Sequence, residues 1–119
     1  MFFSFLKRLF FWRKLHPQDV RYFLKVLKDI ETQTPKEQII QYDIVYHKIL
    51  QKLGYTWSFG DILKRNPKEI INIQEMWELH KLRNRLVHEL KVKQENLWIH
   101  AKNYEDNIKR LLKKVGKIK

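Results

Sequence analysis

Arg83, Asn84 and His88 are the residues of this chain best suited to chemistry, because together they could hold a phosphate and move a proton. They lie in one stretch, Trp77 to Glu89, reading WELHKLRNRLVHE. Turning each residue by about 100°, as an α-helix does, puts Met76, Leu79, Leu82, Leu86, Val87 and Leu90 on one broad arc. Glu78, Lys81, Arg85 and Glu89 fall on the opposite, solvated side. Arg83 does not join them. It lies inside the apolar arc, with His80, Asn84 and His88 at its edges. A guanidinium against apolar side chains is costly unless its donors are met, so Arg83 requires a partner. A phosphate, a buried carboxylate or helix-end carbonyls would each serve. Imidazole is the side chain whose ordinary pKa lies nearest neutrality, which suits His88 to acid or base work, or to the negative end of the helix dipole. Asn84, one turn before His88, can hydrogen-bond the imidazole or a nucleic-acid backbone. His80, another turn back, reads as a packed histidine or a substrate contact.

Arg83 to His88, RNRLVH, resembles the signature of the HEPN superfamily (higher eukaryotes and prokaryotes nucleotide-binding): an arginine, a polar residue such as asparagine, and a histidine after four intervening residues. Trp77 and His80 upstream are similar to residues in small bacterial HEPN-like proteins. The resemblance covers about a dozen residues and is extended only by the order of helices. It implies metal-independent RNA cleavage in which a 2′-hydroxyl attacks the adjacent phosphate, leaving a 2′,3′-cyclic phosphate and a 5′-hydroxyl. His88 would move the proton and Arg83 would offset charge on the phosphate oxygens, with Asn84 completing the catalytic set. His80, Arg85 and Lys81 would contact substrate. Arg83 and His88 diverge by about 140° around the helix axis, so one helix cannot easily close such a site. In the family two copies pair to line one cleft, which makes a homodimer the expected state, and a toxin or defence role is among those the family serves. Leu90 stands where toxins controlled by a nucleotidyltransferase antitoxin commonly carry a tyrosine, so an antitoxin acting by that route is not expected. Many HEPN-like domains have lost cleavage and only bind nucleotides or nucleic acid, which is the alternative function.

The chain has 119 residues, enough for one domain with a single core. Lys and Arg number 25 against 13 acidic residues, a formal charge of +12 that attracts RNA or an anionic membrane surface. The absence of cysteine excludes disulfides and thiolate metal sites and fits a reducing, cytoplasmic compartment. No metal and no cofactor is expected, since there is no HExxH and no aspartate in the motif stretch. The basic cluster Lys109, Arg110, Lys113, Lys114, Lys117 and Lys119 is a solvated face that could also track phosphates. Trp57, Trp77 and Trp98 are expected in the core or an interface.

Three glycines and three prolines argue for a few long helices. The expected fold is all-α, an antiparallel bundle of about four helices with a short extra helix and an apolar N-terminal segment. That segment, residues 1–15, mixes Phe2, Phe3, Phe5, Phe10, Phe11 and Trp12 with basic residues. It is too short to span a bilayer and carries no small-residue cleavage site, leaving two readings: a membrane-peripheral anchor, or a cover for the bundle or a dimer seam. The HEPN-like helical domain would fill 16–119. Its helices are expected at about Gln18–Glu31, Thr34–Leu53 with Gly54 as C-cap, Phe59–Arg65, Ile73–Lys91 with Asn72 as N-cap, and Glu95–Val115 with Gly116 as the stop. The buried side of the second is expected to carry Ile39, Ile40, Ile44, Tyr46, His47, Leu50 and Leu53. Residues 55–67, between the second and fourth helices, would form a lid over the site.

Overall fold

In the computed structural model, residues 14–89 and 96–116 are described. Residues 1–13, 90–95 and 117–119 lie outside them, and with them Leu90 and Lys91 of the expected motif helix. The described residues form five helices: α1 Pro17–Ile30, α2 Pro35–Lys52, α3 Phe59–Lys64, α4 Ile73–His88 and α5 Leu97–Val115. This is the all-α bundle expected, with α3 as the short extra helix. Among the described residues the only strand-like pairing is a single parallel bridge between Leu15 and Gly116.

Local chemistry sets the helix ends. Thr34 accepts from the Glu37 amide, Ser58 from Asp61 and Asn72 from Glu75, so three helices begin on side-chain caps. Pro17 and Pro35 occupy first-turn positions where no amide is needed. α2 closes with two reversed bonds, Tyr55 N–H to the Leu50 carbonyl and Gly54 N–H to Gln51, and Gly54 takes the left-handed φ of 106° that this closure requires. Gly116 serves differently. Its φ is ordinary, but a Cβ there would lie 2.5 Å from the Leu112 carbonyl oxygen and 2.9 Å from Val20, so only glycine fits between α5 and α1. α4 stops at His88, with Glu89 extended, three residues short of the expected Lys91.

The directions of the helices follow from a few pairs. Lys52 meets Asp19, joining the end of α2 to the start of α1, while Leu15 donates its amide to the Val115 carbonyl, joining the start of α1 to the end of α5. Tyr42 reaches Glu105, and Tyr104 reaches Asp43. α2 and α5 therefore run side by side in the same direction, with α1 opposite to both; α4 is opposite too, since its early Glu75 meets Asn107 while its later Arg85 shares a groove with His100. Leu15, assigned from the sequence to the N-terminal segment, is buried against α5 and belongs to the core.

The core is held by Val20, Phe23, Leu27 and Ile30 of α1, Ile39, Val45, Ile49 and Leu50 of α2, Met76, Leu79, Leu82 and Leu86 of α4, and Tyr104, Ile108 and Leu111 of α5. The expected buried face of α2 is corrected at its edges. Ile44 is 40% exposed and Ile40 half-buried, while Tyr42, Asp43, Val45 and Ile49 are buried. The reason is that α2 is contacted by α1, α4 and α5 together, so its buried arc is wider than, and rotated from, that of a helix packed on one side. Leu24 of α1 and Val87 of α4, both expected on apolar arcs, lie at the surface, as does Trp98; Trp77 packs partly buried against the core.

Three phenols sit inside this core. Burial pushes the ionisation of Tyr42, Tyr46 and Tyr104 well above the ordinary value of 10.0; the Glu105 carboxylate beside Tyr42 and the Asp43 carboxylate beside Tyr104 add to it, with Arg83 partly opposing at Tyr104. In the unfolded chain these phenols ionise near 10, whereas the folded chain keeps them protonated, so their stabilising contribution is full below that pH and is lost above it. Each is expected to remove about 1.4 kcal/mol of stability per pH unit once the unfolded-state value is passed. Alkaline titration followed by phenolate absorbance and helical circular dichroism should therefore show these phenols ionising together with loss of helix.

Candidate functional site

The site is built around a carboxylate that lies far in sequence from the motif. Asp43 sits in the middle of α2, 1% exposed, and both of its oxygens are used. Oδ1 accepts from Arg83 Nε at 2.9 Å. Oδ2 accepts from the Tyr104 hydroxyl at 2.7 Å and lies 2.9 Å from His80 Nδ1. Three donors from two other helices thus converge on one buried anion. A carboxylate taken out of water without such partners would cost several kcal/mol.

The geometry fixes the histidine tautomer. Asp43 is the acceptor in its other bonds and the phenol of Tyr104 keeps its proton, so Nδ1 of His80 is the donor to Oδ2. Nε2 is then the ring nitrogen left to exchange a proton. No described residue hydrogen-bonds Nε2. Among the described residues, Glu69 Oε2 is the buried side-chain polar atom left without a partner, so Nε2 reaches solvent. The ring is held from the other side by Phe59 of α3, whose centroid lies 4.7 Å away. Phe59 also stacks on His47 and Tyr46, and His47 Nε2 donates to the Trp57 carbonyl at 2.9 Å. The 55–67 stretch expected as a lid therefore lies against His80, with its short helix fastened by aromatic packing.

Arg83 answers the requirement read from its place on the apolar arc: its partner is a buried carboxylate. Nε is spent on Asp43 and Nη1 donates to Asn84 Oδ1 at 3.0 Å. Nη2 makes no hydrogen bond to a described residue, and 27% of the side chain remains exposed. Arg83, Asn84 and His80 are thus brought together. His88 is not. It is exposed at the last position of α4, about 7.5 Å further along the helix axis than Arg83, and no described residue bonds its ring. Lys81 is exposed and makes no contact with the cluster. Arg85 instead lines a groove of 530 Å³ between α4 and α5, facing Glu78, His100 and Asn103. Deeper in that region Asn107 donates to Glu75.

Asp43 and Tyr104 went unrecognised in the sequence as members of the site, although Asp43 carried a signal. Counting in steps of three and four from Ile39 gives Asp43, Tyr46 and Leu50, so a carboxylate falls on an apolar helical face just as Arg83 does. Two such misfits of opposite charge on different helices satisfy each other. Among the described residues no cluster of three or more ligating side chains could hold a metal ion, and no helix is long and apolar enough to cross a membrane.

Comparison with known proteins adds no relative: no family model, no curated protein and no solved structure matches the chain.

Removing one member of a buried ionic cluster costs more than the cluster contributes, because the remaining charge is stranded. Asp43→Ala, which leaves Arg83 uncompensated, is expected to lose about 3–5 kcal/mol. Tyr104→Phe, which removes one donor of three, is expected to lose about 1–2 kcal/mol. Denaturant unfolding of both variants and of the double variant should reveal strong non-additivity, since the two changes empty the same hydrogen bond.

Proposed function

We propose that this protein is a metal-independent endoribonuclease of the HEPN type, in which Arg83 holds the scissile phosphate and an imidazole of α4 transfers the proton. The observation that carries this reading is the state of Arg83. Its Nε is anchored to a buried carboxylate and Nη1 to Asn84, so the Nη2 end of a partly exposed side chain is held in one orientation with no bond to a described residue. A guanidinium fixed in this way loses little freedom on meeting a phosphate, and positioning of this kind is what phosphoryl chemistry asks of a protein. RNA would supply the 2′-hydroxyl that makes the reaction internal to the substrate, and a surface of net charge +12 would draw it in.

The resemblance of RNRLVH to the HEPN signature supports the same chemistry and names His88 as a proton carrier. His88 is exposed and no described residue bonds its ring, which suits exchange with solvent. A second copy would complete the cleft. Val87, Trp98 and Ile99 are exposed at the end of the bundle where α4 stops and α5 begins, which gives such a copy apolar surface to cover. On this reading the enzyme acts in the cytoplasm in a toxin or defence role, and residues 1–13, ahead of the buried Leu15, either cover that seam or meet an anionic membrane. A regulator working by tyrosine modification is not proposed, because Leu90 stands at that position.

A second reading, a binding module without cleavage, is favoured by one observation: Asp43 already compensates the charge of Arg83. The two separate in a single experiment. The purified chain is incubated with RNA in excess EDTA beside Arg83→Lys and His88→Ala. Cleavage to cyclic-phosphate ends that falls about 100-fold or more in each variant is the expected outcome. RNA retained by all three chains with no new ends would leave the binding module.

A further inference from the structure

We propose that His80 is a catalytic residue of this site, accepting the proton of the attacking 2′-hydroxyl at Nε2, with Asp43 as the residue that positions it. The inference rests on the ribonuclease reading and divides its proton transfers between two imidazoles.

His80 has what a base needs and His88 lacks. Its Nδ1–H is committed to a buried carboxylate at 2.9 Å, which fixes both the ring plane and the tautomer and would stabilise the imidazolium that forms when Nε2 takes a proton. Nε2 makes no hydrogen bond to a described residue and is left to exchange the proton. Only 11% of the side chain is exposed. Gly60 of α3 lies beside the ring, where a Cβ would stand in ordinary contact with Nε2 at 4.0 Å.

The same carboxylate orients Arg83 through its other oxygen, so phosphate holder and base are indexed to one rigid group. Along α4 His80 lies about 4.5 Å before Arg83, whereas His88 lies about 7.5 Å after it and about 140° around the axis, so the His88 that serves this phosphate is the one brought by the second copy. In the step proposed, the 2′-oxygen forms its bond to phosphorus as its proton passes to His80 Nε2. The bond from phosphorus to the 5′-oxygen breaks, and that oxygen takes a proton from His88. The products are a 2′,3′-cyclic phosphate and a 5′-hydroxyl, and exchange with water restores both rings.

The test uses two substrates, an RNA oligonucleotide and a uridine 3′-aryl phosphate whose nitrophenolate leaves without needing a proton. His80→Gln, which can still donate to Asp43, is expected to bind RNA within about two-fold of wild type yet lose about 10²–10⁴ in kcat on both substrates. His88→Ala is expected to lose a similar factor on RNA and to recover most of it on the aryl ester. Wild-type kcat in a folded His80→Gln chain overturns the assignment while leaving the ribonuclease reading intact. A wild-type chain inert on both substrates overturns that reading, and this inference with it. Should His80→Gln not fold, Gly60→Ala decides: its methyl would stand in contact with Nε2 while leaving the bonds of Asp43 in place, and it is expected to lower kcat at least about ten-fold while the helix gains stability. Unchanged turnover in that variant overturns the proposal.

Discussion

The Asp43 carboxylate is the constraint on which the rest of the molecule depends. A charge that is 1% exposed in the centre of the central helix can be tolerated only if its neighbours donate to it, and here Arg83, His80 and Tyr104 all do. Because those donors sit on α4 and α5, the requirement also fixes how the three helices stand along their axes. Sliding α4 by one turn relative to α2 would remove two donors at once and strand the anion. Apolar packing alone tolerates such a shift far better, since one leucine can replace another. A polar cluster of this kind therefore supplies register to a core otherwise made of interchangeable aliphatic side chains.

The same cluster links stability to the chemistry proposed. Asp43 lowers the electrostatic cost of holding Arg83 and His80 near apolar surface, and in doing so leaves each with one free end: Nη2 of the guanidinium and Nε2 of the imidazole. Both are oriented by bonds made deeper in the protein, so little rotamer freedom remains to be lost when a ligand arrives. His88 stands in contrast. Exposed at a helix end and without a described partner, it is suited in the proposed reaction to trading protons with water. α3 adds a wall to this cluster, since Phe59 packs on His80 and Gly60 lies beside Nε2.

Much of this was determined by the sequence itself. Thr34, Ser58 and Asn72 cap the helices they precede, and Gly54 and Gly116 stand where two helices must end, because these effects depend on side chains within a few residues of the backbone they serve. The period of apolar residues likewise fixed an all-α chain, and the position of Arg83 inside an apolar arc showed that it must have a partner. Which partner it has was decided only by the tertiary structure. Asp43 is forty positions away and on another helix, so no local spacing could couple the two. The same limit applies to α2, whose buried face widened to take in Tyr42, Val45 and Ile49 because three helices surround it, and to His80, whose bond to Asp43 distinguishes it from an ordinary packed histidine. Local rules fix where elements start and stop. Long-range packing decides which charges meet, because the cost of burying a charge is settled only when every neighbour is in place.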